Sequence, residues 1–555
     1  VLPDPPSTRA TARLGTDPSD AAGREYDVLV YGATAGGLIA ALAAARTGAT
    51  VIVLEPGTHL GGMVTGGLSA TDAGNPSAIG GITREYFERI GKAYGQDGPA
   101  WQHEPHVAED VFRQMLSEQG VTVVFKAAMK QTGAVDKIDR HIKSVTTETG
   151  HVYTVKQYID ATYEGDLMAQ AGVSYTIGRE SAEQYQEKRA GIRPPVRFGY
   201  PGSAFDASGL LPDIDNGPYG EVGEADHRIM AYTFRLCLTN DPENRIPFEK
   251  PNDYDPRRYA LLLPVFEARP EAQLDDYILP VDLPNRKIDV NNRPGLIVSM
   301  NLHNGSWDYP EADYDRRQDI SQEHASYVQG FFYYLTNDER VPQKLRDELS
   351  QWGLPADEFQ DTGGWPHQLY VRAGRRMIGS SVLNANDLLS QTTKHDAIAM
   401  GTYFLDSHRT RRIVMPDGDV ATEGGVGGEV NPYDIPYSVL TPKAQECGNL
   451  LVPVCLSSSG VAWCSLRMEP VFMAMGHGAG LAASMAARSG SDVQDIDTDV
   501  LRQRLLIQKQ VIGKIDLPTM KEHQHTSLMT PSLKPVVETK DIRLLKRKGQ
   551  KTTPS

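Results

Sequence analysis

The chain has 555 residues, 40% of them hydrophobic and 23% charged, which is too long for a disulfide-held scaffold and too apolar for a disordered chain. Its 71 acidic and 56 basic residues give a formal charge of -15, which argues against nucleic acid as a primary partner. No run of about 20 apolar residues offers a membrane span, and the four cysteines match no compact zinc pattern, so buried thiols are expected, with one or two disulfides as the alternative.

From Val1 to about Gly23 the chain is rich in Pro, Ser, Thr and Ala, as expected after removal of an export signal or trimming of the start. Residues 1–24 are therefore read as a flexible segment and the protein as secreted or exported, with a cytoplasmic location left open. Tyr26 to Tyr31 reads as a buried strand, Gly32 to Gly37 as a tight turn, Leu38 to Thr47 as an alanine-rich helix and Thr50 to Leu54 as a second strand. His106 to Gln119 predicts a helix, Val121 to Ala127 a strand, Lys130 to Lys143 a loop, and Ser144 to Thr147 and Val152 to Asp160 further strands. Beyond Ser174 the periodicity weakens; strands are expected at Ile229 to Leu238 and Leu296 to Asn301, and a helix at Asp319 to Asn337. Regular elements resume with a strand at Leu450 to Val454 and a small-residue helix at Glu469 to Arg488. Val500 to Gly513 forms a last helix before a polar tail that carries Lys546-Arg547-Lys548.

The segment from Tyr26 to Glu55 is a βαβ unit with a phosphate-binding turn. Gly32 makes the turn, Thr34 stands where the middle glycine of the usual pattern would be, and the amides around Ala35, Gly36 and Gly37 face a diphosphate at a helix start. Glu55, at the end of the second strand, is placed to accept the hydroxyl hydrogens of an adenosine ribose. Flavin and nicotinamide dinucleotides fit this unit equally.

Gly61-Gly62-Met63-Val64-Thr65-Gly66-Gly67 follows, and with the turn Tyr31 to Gly37 it resembles FAD-dependent oxidoreductases with a glutathione-reductase-type nucleotide fold, a functionally mixed group in which some members are labelled xanthan lyase. The strand and turn Ile159 to Asp166, which include Ala161, are similar to that family's second dinucleotide-associated turn. Asn449 to Val454 and Arg467-Met468-Glu469-Pro470 through Gly476 to Gly480 resemble its flavin-closing strand and helix. The resemblance implies FAD as cofactor. It also implies an α/β fold, a Rossmann-like three-layer FAD-binding part with a β-rich insertion and a mixed α+β substrate or cap region. In this division residues 25–173 and 369–496 form the FAD-binding parts, 174–368 the cap, and 497–555 a helix and tail.

Substrate chemistry is assigned to residues that can hold or move a proton. In Trp365 to Arg372, His367 is read as a base, Tyr370 as a hydroxyl-holding group, Arg372 as a carbonyl or carboxylate clamp and Trp365 as a cover for a sugar face. A packed structural turn is the competing reading. His303 in a polar loop and Tyr433 in a Pro-shaped rim are further candidates, and His477 is weighed between orienting the cofactor and filling the core. No metal pattern and no serine-hydrolase elbow is present, and the flavin motif gives no chemical support to a lyase.

The resulting expectation is a flavoenzyme that oxidises a small or medium polar organic molecule, an alcohol, sugar or polyol, by hydride transfer to FAD. Oxygen or another acceptor reoxidises the cofactor, and no nucleic acid, membrane or metal is involved. Assembly into an oligomer is compatible with the sequence. Amine oxidation or desaturation, and a noncatalytic flavin-containing interaction protein, are the alternatives.

Overall fold

A computed structural model describes residues 13–513 apart from 201 and 391, so the basic tail run at Lys546 lies outside the described residues. In chain order, the elements that position the site begin with β1 (Arg13–Leu14), β2 (Tyr26–Tyr31), α1 (Ala35–Arg46) and β3 (Val51–Leu54). They continue through α2 (Gly81–Ala93), α3 (Pro105–Gln119), β4 (Thr122–Val124) and β5 (Val155–Asp160). The cap contributes β6 (Leu236–Thr239), β7 (Ile278–Leu283), β8 (Lys287–Asn292) and α4 (Tyr314–Asn337), and the chain returns through β9 (Leu450–Leu451), α5 (Gly460–Leu466) and α6 (Glu469–Ser489).

Six strands form one parallel sheet in the order β1-β4-β3-β2-β5-β9. β2 is central because nearly every side chain in it is apolar and buried, as a strand covered on both faces requires. Val28 and Val30 face the layer of α1 and α6, while Leu29 and Tyr31 face a second core that includes Ile142, Val145 and Tyr153 of a three-stranded antiparallel insertion. Helices, parallel sheet and β-insertion are the three layers. β9 pairs with β5 at Leu450↔Tyr158, so the last third of the chain completes the sheet begun by the first.

α1 and α6 approach closely because small residues line their contact. A Cβ added at Gly476 would strike the Gly36 carbonyl, and one at Gly480 would strike that of Ala40. Thr47 Oγ1 donates to Ser484 Oγ at 2.8 Å at the far end of this contact.

Several element boundaries differ from expectation for identifiable reasons. α1 starts at Ala35 rather than Leu38 because Thr34 is its N-cap, its hydroxyl accepting from the Gly37 amide at 3.1 Å. The stretch Lys130 to Lys143, expected as a loop, contains the strand Val135–Ile138; its outer face is solvated, and the resulting polar alternation resembles a loop. The run Val152 to Asp160 divides between two sheets, Val152–Tyr153 in the insertion and β5 in the main sheet. Leu296 to Asn301 forms no strand, since side chains rather than a ladder satisfy its backbone: Tyr327 Oη donates to the Ser299 carbonyl at 2.8 Å and Thr233 Oγ1 to that of Met300 at 2.8 Å. The expected strand Ile229 to Leu238 shrinks to β6, and the last helix spans Thr498–Ile507. All four cysteines are free and buried, which removes the disulfide alternative.

Candidate active site

The turn after β2 is built for close approach. Gly32 has φ +94°, and a Cβ at Gly37 would collide with the Gly32 carbonyl and lie 2.9 Å from Ala161 Cβ. Thr34 does the work that a middle glycine does not: besides capping α1 it donates to the Ala161 carbonyl at 2.7 Å, tying the first turn to the end of β5. In the first turn of α1 the Ala35 and Gly36 amides have no intrahelical acceptor, which suits a diphosphate.

Glu55 closes the same turn from β3. Its two oxygens accept from the amides of Ala33 and Gly57, each at 2.7 Å, and burial raises its pKa to about 7. Because ribose hydroxyls stabilise the ionised carboxylate, FAD uptake should tighten as pH rises through about 7, by up to roughly tenfold per pH unit, and Glu55→Gln should flatten the profile. FAD titrations of cofactor-stripped protein between about pH 6 and about pH 8 test this; a wild-type profile as flat as that of the variant would refute it.

The second glycine run packs directly on the first turn. The Gly61 amide donates to the Ala33 carbonyl at 2.7 Å, and Gly61, Gly62 and Gly67 all have positive φ. A Cβ at Gly62 would meet Tyr163 Oη and the Thr34 backbone. Thr65 donates to the Leu60 carbonyl, which holds the loop closed. Tyr163 was not foreseen as a site residue, although it lies in the turn after β5; its hydroxyl accepts from the Met63 amide at 2.9 Å and donates to Glu469 Oε1 at 2.8 Å. Burial raises the Glu469 pKa to about 8, and its second oxygen has no partner. Glu469 follows the N-cap Met468 at the start of α6, so this helix presents an uncharged acid beside Gly62 and Met63 at neutral pH. The glycines, Thr34, Glu55, Thr65, Ala161, Met468, Glu469 and Gly476 thus converge at the carboxyl ends of the central strands, and the cradle fits a dinucleotide.

The proton-handling candidates divide into two groups. His367 lies over the second glycine run, where a Cβ on Gly66 would be 3.2 Å from its Nε2. Its ring stacks on His59 with centroids 3.9 Å apart, and neither ring nitrogen has a hydrogen-bond partner. Burial, reinforced by His59, lowers its pKa to about 3. His59 itself is held upward by Glu109 at 3.1 Å and Asp361 at 2.8 Å. Trp365 packs edge-on against Phe234, 5.4 Å between centroids.

Tyr370, Arg372 and His303 belong to a buried polar cluster with Arg235, Asn301, His408, Arg412 and Arg467, of which only Arg467 was foreseen. Arg467 Nη1 donates to Tyr370 Oη at 3.0 Å and its Nη2 pairs with Asp406 at 3.0 Å. The Arg372 guanidinium lies 4.7 Å from the Tyr370 ring centroid and donates from Nη1 to the Ala231 carbonyl at 2.7 Å and to Asn301 Oδ1 at 2.8 Å. Arg412 reaches His303 Nδ1 at 3.3 Å. Burial, followed by Arg412, Arg409 and Arg372, holds the His303 pKa far below its usual value. Tyr433 stands apart, its hydroxyl paired with Ser465 at 2.7 Å. His477 lies against Gly81 and bonds Gln508 Oε1 at 2.6 Å, on the side of α6 that meets α2 and the end of the last helix.

A parallel sheet with a glycine turn, a buried glutamate at the end of the adjoining strand and a returning small-residue helix defines a dinucleotide-binding α/β protein. A model of the family described as FAD dependent oxidoreductase matches residues 27–505, and the chain belongs to that family. It is a flavin-dependent oxidation–reduction enzyme with FAD as its cofactor. No curated protein matches the chain. Among solved structures, THI4 of Thermovibrio ammonificans is 19% identical over 29% of this chain and 68% of that one, with a TM-score of 0.22. The L-proline dehydrogenase of P. horikoshii is 17% identical over 28% of this chain and 59% of that one (TM-score 0.23), and the glycerol-3-phosphate dehydrogenase of Bacillus halodurans is 11% identical over 31% and 44% (TM-score 0.22). These matches carry no link to xanthan lyase. No helix among the described residues is long and apolar enough to cross a membrane.

Proposed function

We propose that this flavoenzyme oxidises an alcohol carbon of a polar substrate, in the class of sugars, polyols and related alcohols. The carrying observation is His367: a neutral imidazole with two unpartnered nitrogens against Gly66 of the second glycine run. Bound FAD supplies a two-electron acceptor for the hydride that leaves the carbon. His367 takes the hydroxyl proton, so that the C–H and O–H bonds break and a carbonyl forms. Tyr370 Oη accepts from Arg467, which leaves its own hydrogen free to hold the substrate oxygen. The electrons pass on to oxygen or another acceptor. Burial is the main reason that His367 is weakly basic, and His59, stacked on it, lowers its basicity further when charged.

Anaerobic mixing of the flavin-loaded protein with a panel of alcohols, sugars, polyols and amines tests the reading. The flavin absorbance should bleach with a hydroxyl-bearing member, and His367→Ala should retain flavin while the bleaching rate falls by about two to four orders of magnitude, the usual contribution of a positioned base. Bleaching by amines alone would overturn the alcohol assignment, and an unchanged rate in the variant would remove His367 from the mechanism.

A further inference from the structure

Arg372 and Arg412 are 1% and 0% exposed, yet neither has a carboxylate partner among the described residues. Arg372 Nε and Nη2 and Arg412 Nη1 are buried without a hydrogen-bond partner, while the remaining contacts of the two guanidiniums are to carbonyls, Asn301, His303 and the Tyr327 hydroxyl. The contrast within the cluster is specific: Arg235 pairs with Asp289 and Arg467 with Asp406. Burying a guanidinium without a counter-charge costs several kcal/mol, so a fold retains two of them together only where something outside the chain completes them. Burial and the neighbouring Arg467 and Arg235 pull Arg372 down to about 9, a sign of uncompensated positive charge.

The two guanidiniums are linked by one short segment: Asn301 accepts from Arg372, and His303, two residues on, meets Arg412. None of their hydrogen-bond partners lies on the Gly32 to Gly37 turn, so the diphosphate of the cofactor is not the missing anion. A cleft runs beside Ala373, Met230, Thr410 and Trp463, the immediate neighbours of this cluster. Its rim carries Arg189, which has no carboxylate partner among the described residues, and Arg228, which pairs with Asp226 at 3.2 Å.

We propose that Arg372 and Arg412 bind a carboxylate of the substrate, which makes the substrate class hydroxy acids or sugar acids rather than neutral polyols. The planar fork of an arginine matches the two oxygens of a carboxylate, and Nε with Nη2 of Arg372 is a free pair of that geometry. This rests on the alcohol-oxidation reading for the reaction itself, but the anion site stands on its own observations. The net acidity of the chain is compatible with it, because the cluster is an internal positive field in a negative surface.

Calorimetric titration of the flavin-loaded protein with malonate, lactate, inorganic phosphate and glycerol tests the site. Malonate or lactate should bind and glycerol should not, and Arg372→Met and Arg412→Gln should each weaken carboxylate binding at least about tenfold, with Arg372→Lys intermediate. Flavin content should be retained in Arg372→Met and the melting temperature should change little, because relief of an uncompensated buried charge offsets the hydrogen bonds lost to Ala231 and Asn301; a purely structural arginine would lower both. Absence of carboxylate binding at about 10 mM, binding unaltered in both charge-removing variants, or binding of phosphate alone would overturn the proposal. The anaerobic panel separates the two readings. Bleaching by neutral polyols without carboxylate binding defeats the anion site and leaves alcohol oxidation standing, whereas carboxylate binding without bleaching by any hydroxy acid does the reverse.

Discussion

Replacing Gly37 with alanine is expected to lower FAD affinity roughly ten- to hundredfold, the equivalent of the 1–3 kcal/mol that overpacking a closed contact costs. The new methyl group would strike the Gly32 carbonyl and crowd Ala161 Cβ at 2.9 Å and Val30 Cγ1 at 3.3 Å. Neither backbone group can yield, since Gly32 is fixed at φ +94° by the turn and Ala161 by the Thr34 hydroxyl at 2.7 Å. Relief therefore comes by opening the turn, which moves the Ala35 and Gly36 amides away from the diphosphate. Gly480→Ala is the control. It strains the α1–α6 contact at Ala40, about one and a half turns into the helix, so it should lower the melting temperature while leaving FAD affinity within about threefold. FAD titration of stripped Gly37→Ala with wild-type affinity would show that the turn does not carry the cofactor.

The second large effect is at Lys287 on β8. Its ammonium is fully buried and donates to Glu104 at 2.7 Å, Glu358 at 2.7 Å and Asp357 at 2.8 Å. Glu358 also accepts from the His106 amide at 2.9 Å and pairs with its ring at 2.7 Å, and Glu104 accepts from Asn285 at 2.7 Å. The cluster fastens the start of α3 to the cap hairpin and to the segment that leads into His367. Although Glu104, His106 and Glu358 are spaced like metal ligands, the lysine already supplies the cation. Lys287→Met leaves two buried carboxylates without it and should destabilise the protein by about 3–5 kcal/mol in urea denaturation, the range seen when one partner of a buried pair is removed. Adding Glu104→Gln and Glu358→Gln should recover most of that loss. A loss below about 1 kcal/mol in Lys287→Met would mean that water reaches the cluster and replaces the lysine.

The cofactor half of the site was legible because its determinants are local. Gly32, Thr34 and Gly37 act within one turn, and Glu55 ends the adjoining strand, so spacing alone brings them together. α6 announced itself by a run of small residues that only a close helix contact needs. The cap was not legible, for physical reasons visible at particular residues. Pro284, Asn285 and Arg286 form a three-residue hairpin loop, with Asn285 and Arg286 at φ +58° and +60° and no glycine to mark the left-handed positions, so the pairing of β7 with β8 was not read. Leu296 to Asn301 has the apolar content of a strand, yet Thr233 and Tyr327 satisfy its carbonyls instead of a neighbouring strand.

The proton-handling residues show the same division. His367, Tyr370 and Arg372 were recognisable as chemical types in one short segment, but their partners are His59, Arg467 and Asn301, which lie 308, 97 and 71 positions away. Nothing in the chain order indicates which of the many arginines lack a carboxylate, because pairing is a property of the packed interior.

By itself the amino-acid sequence determined the α/β class, the dinucleotide-binding turn and the returning helix, since each depends on steric rules that operate over a few residues. Only the tertiary structure decided that Tyr163 joins Met63 to Glu469, that His367 rests on His59, and that two guanidiniums are buried without counter-charge. Those relations arise from desolvation and from contacts between distant segments, and they exist only once the chain has closed around them.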